Sequence, residues 1–60
     1  MTNLERLRRE AQMTQTQLAE KSGVSRAVIV KIENGGIDGV LCKSLMRLAD
    51  ALNVKVAELF

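Results

Sequence analysis

The sequence predicts an all-α domain, a compact bundle of five short helices with a helix-turn-helix at residues 15–34. Three observations carry this. Apolar residues recur at three- and four-residue spacing, and no strand-like alternation of useful length occurs. Helix start and stop signals recur along the chain. The stretch from Thr14 to Gly35, TQTQLAEKSGVSRAVIVKIENG, reads as two short helices joined by a tight turn.

The elements follow in order. Thr2 and Glu5 have capping-box spacing, so a first helix is expected from Asn3, with Leu4, Leu7 and Ala11 as its inward stripe and fraying near Gln12. Thr14 and Gln17 repeat that spacing and open a second helix from Gln15 to about Ser22, with Leu18 and Ala19 inward. Gly23 sits where the turn needs a left-handed residue. Ser25 is the N-cap of a third helix, Arg26 to Glu33, which Asn34-Gly35 stops. Residues 36–41, GIDGVL, read as a loop whose apolar members fold partly back on the core. A fourth helix is expected from about Cys42 to Leu52, with Leu45, Leu48, Ala49 and Leu52 inward and Asn53 as left-handed cap. Val54 to Phe60 is expected to form a short fifth helix, pinned by Val54, Val56, Leu59 and Phe60.

Size and composition bound the function. The 60 residues make one domain, 1–60. A chain of this length buries roughly 60% of its unfolded surface and is marginal alone. Cys42 is the only cysteine and there is no histidine, which excludes a disulfide within the chain and a structural zinc site. No other metal or cofactor set is visible, and Cys42, beside an apolar helix stripe, is expected to be buried and inert. Nine basic against seven acidic residues give a net charge of +2, a mild bias whose placement matters more than its size. The opening MTNLERLRRE is charged almost at once and lacks an apolar signal core. No run approaches the ~20 apolar residues that span a bilayer, so no membrane association and a cytoplasmic location are expected. There is no glycine-rich phosphate loop, the acidic residues are scattered, and Gly35-Gly36 is a helix stop. The reading is therefore not an enzyme.

A helix-turn-helix presents its second helix to the major groove, which makes double-stranded DNA the expected partner. With Ile29 and Ile32 inward, the outward face of the third helix carries Arg26, Ala27, Val30, Lys31 and Asn34. Arg26 lies at the N-terminal end, where arginine can grip guanine O6 and N7, or else rest on a phosphate. Lys31, one turn beyond Ala27, is assigned to a guanine or a phosphate. Val30 offers an apolar contact to sugars or bases, whereas Val28 is read as covering neighbouring side chains. Gln15 opens the second helix, where side chain and amides together suit a phosphate. Lys43, at the start of the fourth helix, is a further phosphate candidate, and Arg9 a lesser one. Leu59 and Phe60 are the expected contact of a homodimer, helped by the fourth helix or the loop from Ile37 to Leu41; the alternative is that they only close the core.

The pieces L-x-x-L-R at Leu4 to Arg8, TQ-x-x-LA at Thr14 to Ala19, GVS at Gly23 to Ser25, I-x-x-I-E-N-G at Ile29 to Gly35 and LxxLADALNV at Leu45 to Val54 stand in order along nearly the whole chain. Together they resemble the phage repressor and Cro-type helix-turn-helix family, the XRE family. The resemblance implies a lambda-repressor-like five-helix domain that binds operator DNA, usually as a symmetric dimer, in a repressor, activator or antitoxin-type role. It places Ala27 at a position that faces bases, where its methyl can meet a thymine methyl. It makes Ser25 and Asn34 phosphate contacts beside their capping roles, and Gln15 a brace to the backbone and a recognition-helix side chain. It reads Arg8 and Glu33 as a partly buried ion pair between the first and third helices, structural rather than DNA-binding. The chain departs from the family in lacking a proline before the fourth helix and in having Leu41 and Lys55 at capping positions. A second reading is a protein-interaction module on the same fold, such as a toxin-neutralising or assembly partner. It would be favoured if Glu20 or Asp38 broke up the positive face of Gln15, Arg26 and Lys31.

Overall fold

In the computed structural model, which describes residues 2–60, the domain is all-α. Helices α1 (Leu4–Glu10), α2 (Gln15–Ser22), α3 (Arg26–Glu33) and α4 (Cys42–Leu52) are followed by a single 3₁₀ turn at Val56–Leu59. α2 packs against both α3 and α4, α1 lies on α3, and the 3₁₀ turn closes on α4. Each helix sends its apolar face to one core made by Leu4, Leu18, Val24, Ile29, Ile32, Leu48, Ala49, Ala51 and Leu59. Leu7, Ala19, Val28, Val40, Leu45 and Leu52 pack around it, half-buried.

These short helices are opened by side-chain caps at α2 and α3 and ended by left-handed backbone turns. The box at α2 forms in full: Thr14 Oγ1 accepts from the Gln17 N–H at 3.0 Å and Gln17 Oε1 from the Thr14 N–H at 2.8 Å. Ser25 Oγ caps α3 by accepting from the Val28 N–H at 3.2 Å. Gly23, at φ 75°, ends α2. Gly35, at φ 92°, ends α3 in a Schellman turn, with Gly36 N–H donating to the Lys31 carbonyl and Gly35 N–H to that of Ile32. Asn53, at φ 57°, closes α4 in the same way through Val54 to Ala49 and Asn53 to Asp50.

Several sequence expectations are corrected. The fifth helix is only a 3₁₀ turn of four residues, held by i to i+3 bonds such as Glu58 N–H to the Lys55 carbonyl, 2.9 Å. The capping box of Thr2 and Glu5 does not form: α1 starts at Leu4, Asn3 makes no side-chain cap, and Thr2 Oγ1 donates to the Ile32 carbonyl at 2.8 Å. Asn3 instead clasps the C-terminus, its N–H on the Leu59 carbonyl and its Nδ2 on that of Phe60, both at 2.7 Å. Ala11 is exposed at the end of α1, and Arg8 takes the interior place on that face. Cys42 is exposed, since it opens α4 some two turns ahead of the buried Leu48 and Ala49. Leu59 is fully buried in the monomer core and has no surface to offer a second subunit, while Phe60 stays 45% exposed.

The third Schellman turn was hidden because it lacks glycine. Gln12, at φ 60°, donates to the Arg9 carbonyl and Met13 to that of Arg8, so α1 ends sharply. A left-handed non-glycine residue costs about 1–2 kcal/mol, against which glycine's extra chain entropy must be set. Gln12→Gly is therefore expected to stabilise the fold by about 0.5–1 kcal/mol and raise the thermal midpoint by a few degrees. Asn53→Gly should gain less, because asparagine tolerates this region. Calorimetry of the two variants checks the order.

Candidate nucleic-acid interface

The interface begins with two helix starts and one carboxylate. The capping box at Thr14 fixes Gln15 as the first residue of α2, and Ser25 fixes Arg26 as the first of α3. Glu33, at the far end of α3, ties these pieces to α1. Its Oε2 accepts from Arg8 Nε at 2.7 Å, and its Oε1 from Arg8 Nη2 at 3.1 Å and Gln15 Nε2 at 3.0 Å. Arg8 Nη1 donates to the Met13 carbonyl at 2.8 Å, in the connection between α1 and α2. The Arg8 and Glu33 side chains are 9% and 5% exposed. Such a pair is stabilising only when its remaining donors and acceptors are matched, and among the described residues no buried side-chain nitrogen or oxygen lacks a partner.

The charges respond accordingly. Hydrogen bonding to Glu33 raises the Arg8 guanidinium above its ordinary value, against an opposing desolvation. Burial is the largest influence on Glu33 and pushes its carboxyl up. The hydrogen bonds from Arg8 and Gln15 and the charges of Arg8 and Arg9 together outweigh it, so the carboxyl lies below the usual range.

With Ile29 and Ile32 fully buried, α3 turns Arg26, Ala27, Lys31 and Asn34 to solvent and leaves Val30 half-buried. Arg26 and Ala27 occupy the first turn and Asn34 follows the last residue of α3. Lys43 is exposed in the first turn of α4. Arg26, Lys31 and Lys43 form no ion pair among the described residues. Lys31 meets Asp38 through that residue's backbone carbonyl, to which its ammonium donates. Arg9 pairs with Glu5 along α1 at 2.8 Å. Three contacts that shape this region carry no local sequence signal: Thr2 to Ile32, Arg8 to the Met13 carbonyl and Lys31 to the Asp38 carbonyl. They join residues whose pairing depends on how the helices meet.

Two packed helices, a left-handed glycine between them and a second helix whose first turn is exposed define a helix-turn-helix DNA-binding domain. The helix-turn-helix family model matches residues 4–59, and the chain belongs to this family, in its XRE type, whose members are DNA-binding transcriptional regulators. No curated protein and no solved structure matches the chain. No helix among the described residues is long and apolar enough to cross a membrane, and no group of potential metal ligands occurs among them.

Arg8→Ala strands Glu33 in a nearly closed site and should cost about 3–5 kcal/mol, enough to unfold much of so small a domain at 25 °C. Urea titration checks it. Because the folded Glu33 carboxyl lies below its unfolded value, its contribution is complete above the ordinary carboxylate range and is lost as pH falls through the folded value. Acid unfolding should therefore be steeper below about pH 4.3 in the native chain than in Glu33→Gln, which has no proton to take up.

Proposed function

We propose that two copies of the chain bind a palindromic operator, each laying α3 in the major groove, and regulate transcription by occupying the site. The half-sites of such a dimer lie one turn of DNA apart, about 34 Å. The observation that carries this reading is the division of α3: Ile29 and Ile32 anchor it in the core, while Arg26, Ala27, Lys31 and Asn34 face outward. Arg26 takes a guanine edge, Ala27 a thymine methyl, and half-buried Val30 adds an apolar contact at the groove wall. Gln15, Ser25, Asn34 and Lys43 serve the phosphates. The Gln15 amide keeps one N–H and its carbonyl beyond the bond to Glu33. Lys31 belongs to the same face. The dimer contact is assigned to Phe60, with exposed Ile37, Leu41 and Met46 as the apolar surface nearest in kind.

The test is selection of bound sequences from a random DNA pool, followed by titration against salt on the best site. A palindrome with half-sites one turn apart supports the dimer. Arg26→Ala should lose about 1–3 kcal/mol of discrimination at one base pair. Lys43→Ala should weaken all sequences alike and lower the slope of log K against log salt by about 0.9. Weak binding without sequence preference would instead favour a protein partner for the exposed apolar residues.

A further inference from the structure

The loop after α3 crosses the side chain of Lys31. The Lys31 ammonium donates to the Asp38 carbonyl. At Gly36, a Cβ would lie 3.4 Å from Lys31 Cγ and 3.5 Å from its carbonyl, so the chain rests directly on the lysine stem. At Gly39, a Cβ would lie 3.6 Å from Nζ. The Lys31 carbonyl also accepts the Gly36 N–H at 3.0 Å. Lys31 thus holds the loop three times over, by its carbonyl, its stem and its ammonium. Beyond this, the loop has one internal turn, Val40 N–H to the Ile37 carbonyl at 3.1 Å, with Gly39 left-handed at φ 79°. Ile37 is 45% and Leu41 67% exposed, and half-buried Val40 is the one apolar side chain of the segment packed on the core.

We propose that Lys31, although it lies on the outward face of α3, is a positioning residue: its ammonium fastens the Gly36–Gly39 loop to the recognition helix rather than reading a base. The electrostatics fit this use. The carbonyl of a turn is a fixed acceptor, and a charged donor to it forms one of the stronger kinds of hydrogen bond. An ammonium committed to the loop lies at the C-terminal end of α3, where a cation is also favoured by the helix dipole. The side chain is thereby drawn away from the N-terminal turn that carries Arg26 and Ala27. Base choice then rests on that first turn, and Lys31 contributes to affinity by keeping the loop in a single shape. The inference deepens the proposed DNA-binding function and rests on it for its binding arm alone.

The experiment compares the native chain with Lys31→Met, which keeps the stem against Gly36, and with Lys31→Arg, which restores a charged donor. Amide hydrogen exchange of the free proteins is read at Gly36 and Val40, the loop amides that donate to carbonyls. Pool selection and salt titration are read on DNA. In Lys31→Met the loop amides should exchange about three- to tenfold faster, and all sites should bind weaker by about the same factor. The selected consensus and the salt slope should not change, and Lys31→Arg should restore both exchange and affinity. A consensus altered at one base pair, or a slope lowered by about 0.9, would make Lys31 a direct contact and overturn the proposal. Unchanged exchange in Lys31→Met would overturn it as well. If even the native chain shows no sequence preference, the operator reading fails, while the exchange measurement still decides whether Lys31 holds the loop.

Discussion

The Glu33 carboxylate is the point at which this domain is assembled. Its two oxygens take three N–H donors, two from Arg8 in α1 and one from Gln15 at the start of α2. The helices it joins have 7, 8 and 8 residues, well below the length at which a helix persists alone. Apolar packing of Leu4, Leu18, Ile29 and Ile32 brings them together, but packing of branched side chains tolerates some rotation of one helix about its axis. A guanidinium fork on a carboxylate does not, because its parallel bonds fix angle as well as distance. The node therefore sets how far α3 is turned, and so which residues it faces outward. Arg8 extends the constraint into the connection before α2 through the Met13 carbonyl.

The second constraint is the closing of helices in very short connections. Four helices and a 3₁₀ turn within 60 residues leave three or four residues for each connection except the eight between α3 and α4. Three of the four ends use one solution, a left-handed residue after the helix with paired backbone bonds behind it, at Gln12, Gly35 and Asn53. Two of these are not glycine. The geometry is imposed by the connection, and the residue accommodates it as well as it can. This explains how a chain without proline still stops its helices abruptly. The two termini are joined by the same economy: Asn3 bonds both of the last two carbonyls, and Thr2 adds a second donor to the Ile32 carbonyl, which already accepts the Gly35 N–H.

What the sequence made legible follows from the range of each interaction. The α2 capping box, the Ser25 cap, the Gly23 turn and the Asn34-Gly35 stop are contacts within a few residues, and each is visible as a spacing. The apolar stripe of α4 was equally plain. Thr2 misled because a hydroxyl suited to a local cap found a carbonyl 30 positions away. Ala11 misled because the place it would fill went to the apolar stem of Arg8, a residue whose charge argues for solvent until its partner is known. Cys42 misled because helical spacing continues to the end of a helix and the core does not. Of the interface, the outward set on α3 could be read from periodicity once Ile29 and Ile32 were placed. The bond of Gln15 to a side chain of α3 was given only by the family resemblance, and the company that Lys31 keeps could not be read at all, since it depends on where a loop arrives.

These constraints explain why eight residues can serve both fold and recognition. On α3 the inward positions, Ile29 and Ile32, hold the core, and Glu33 holds the orientation. Arg26 and Ala27 hold neither, being exposed in the first turn. Change at those two positions leaves the packing and the ion pair intact, so it costs little stability. Change at Glu33 touches no outward position, yet it releases the rotation that gives every outward position its meaning. On the proposed DNA reading, recognition is therefore set at one end of α3 and secured at the other, with a core layer between them that neither task disturbs.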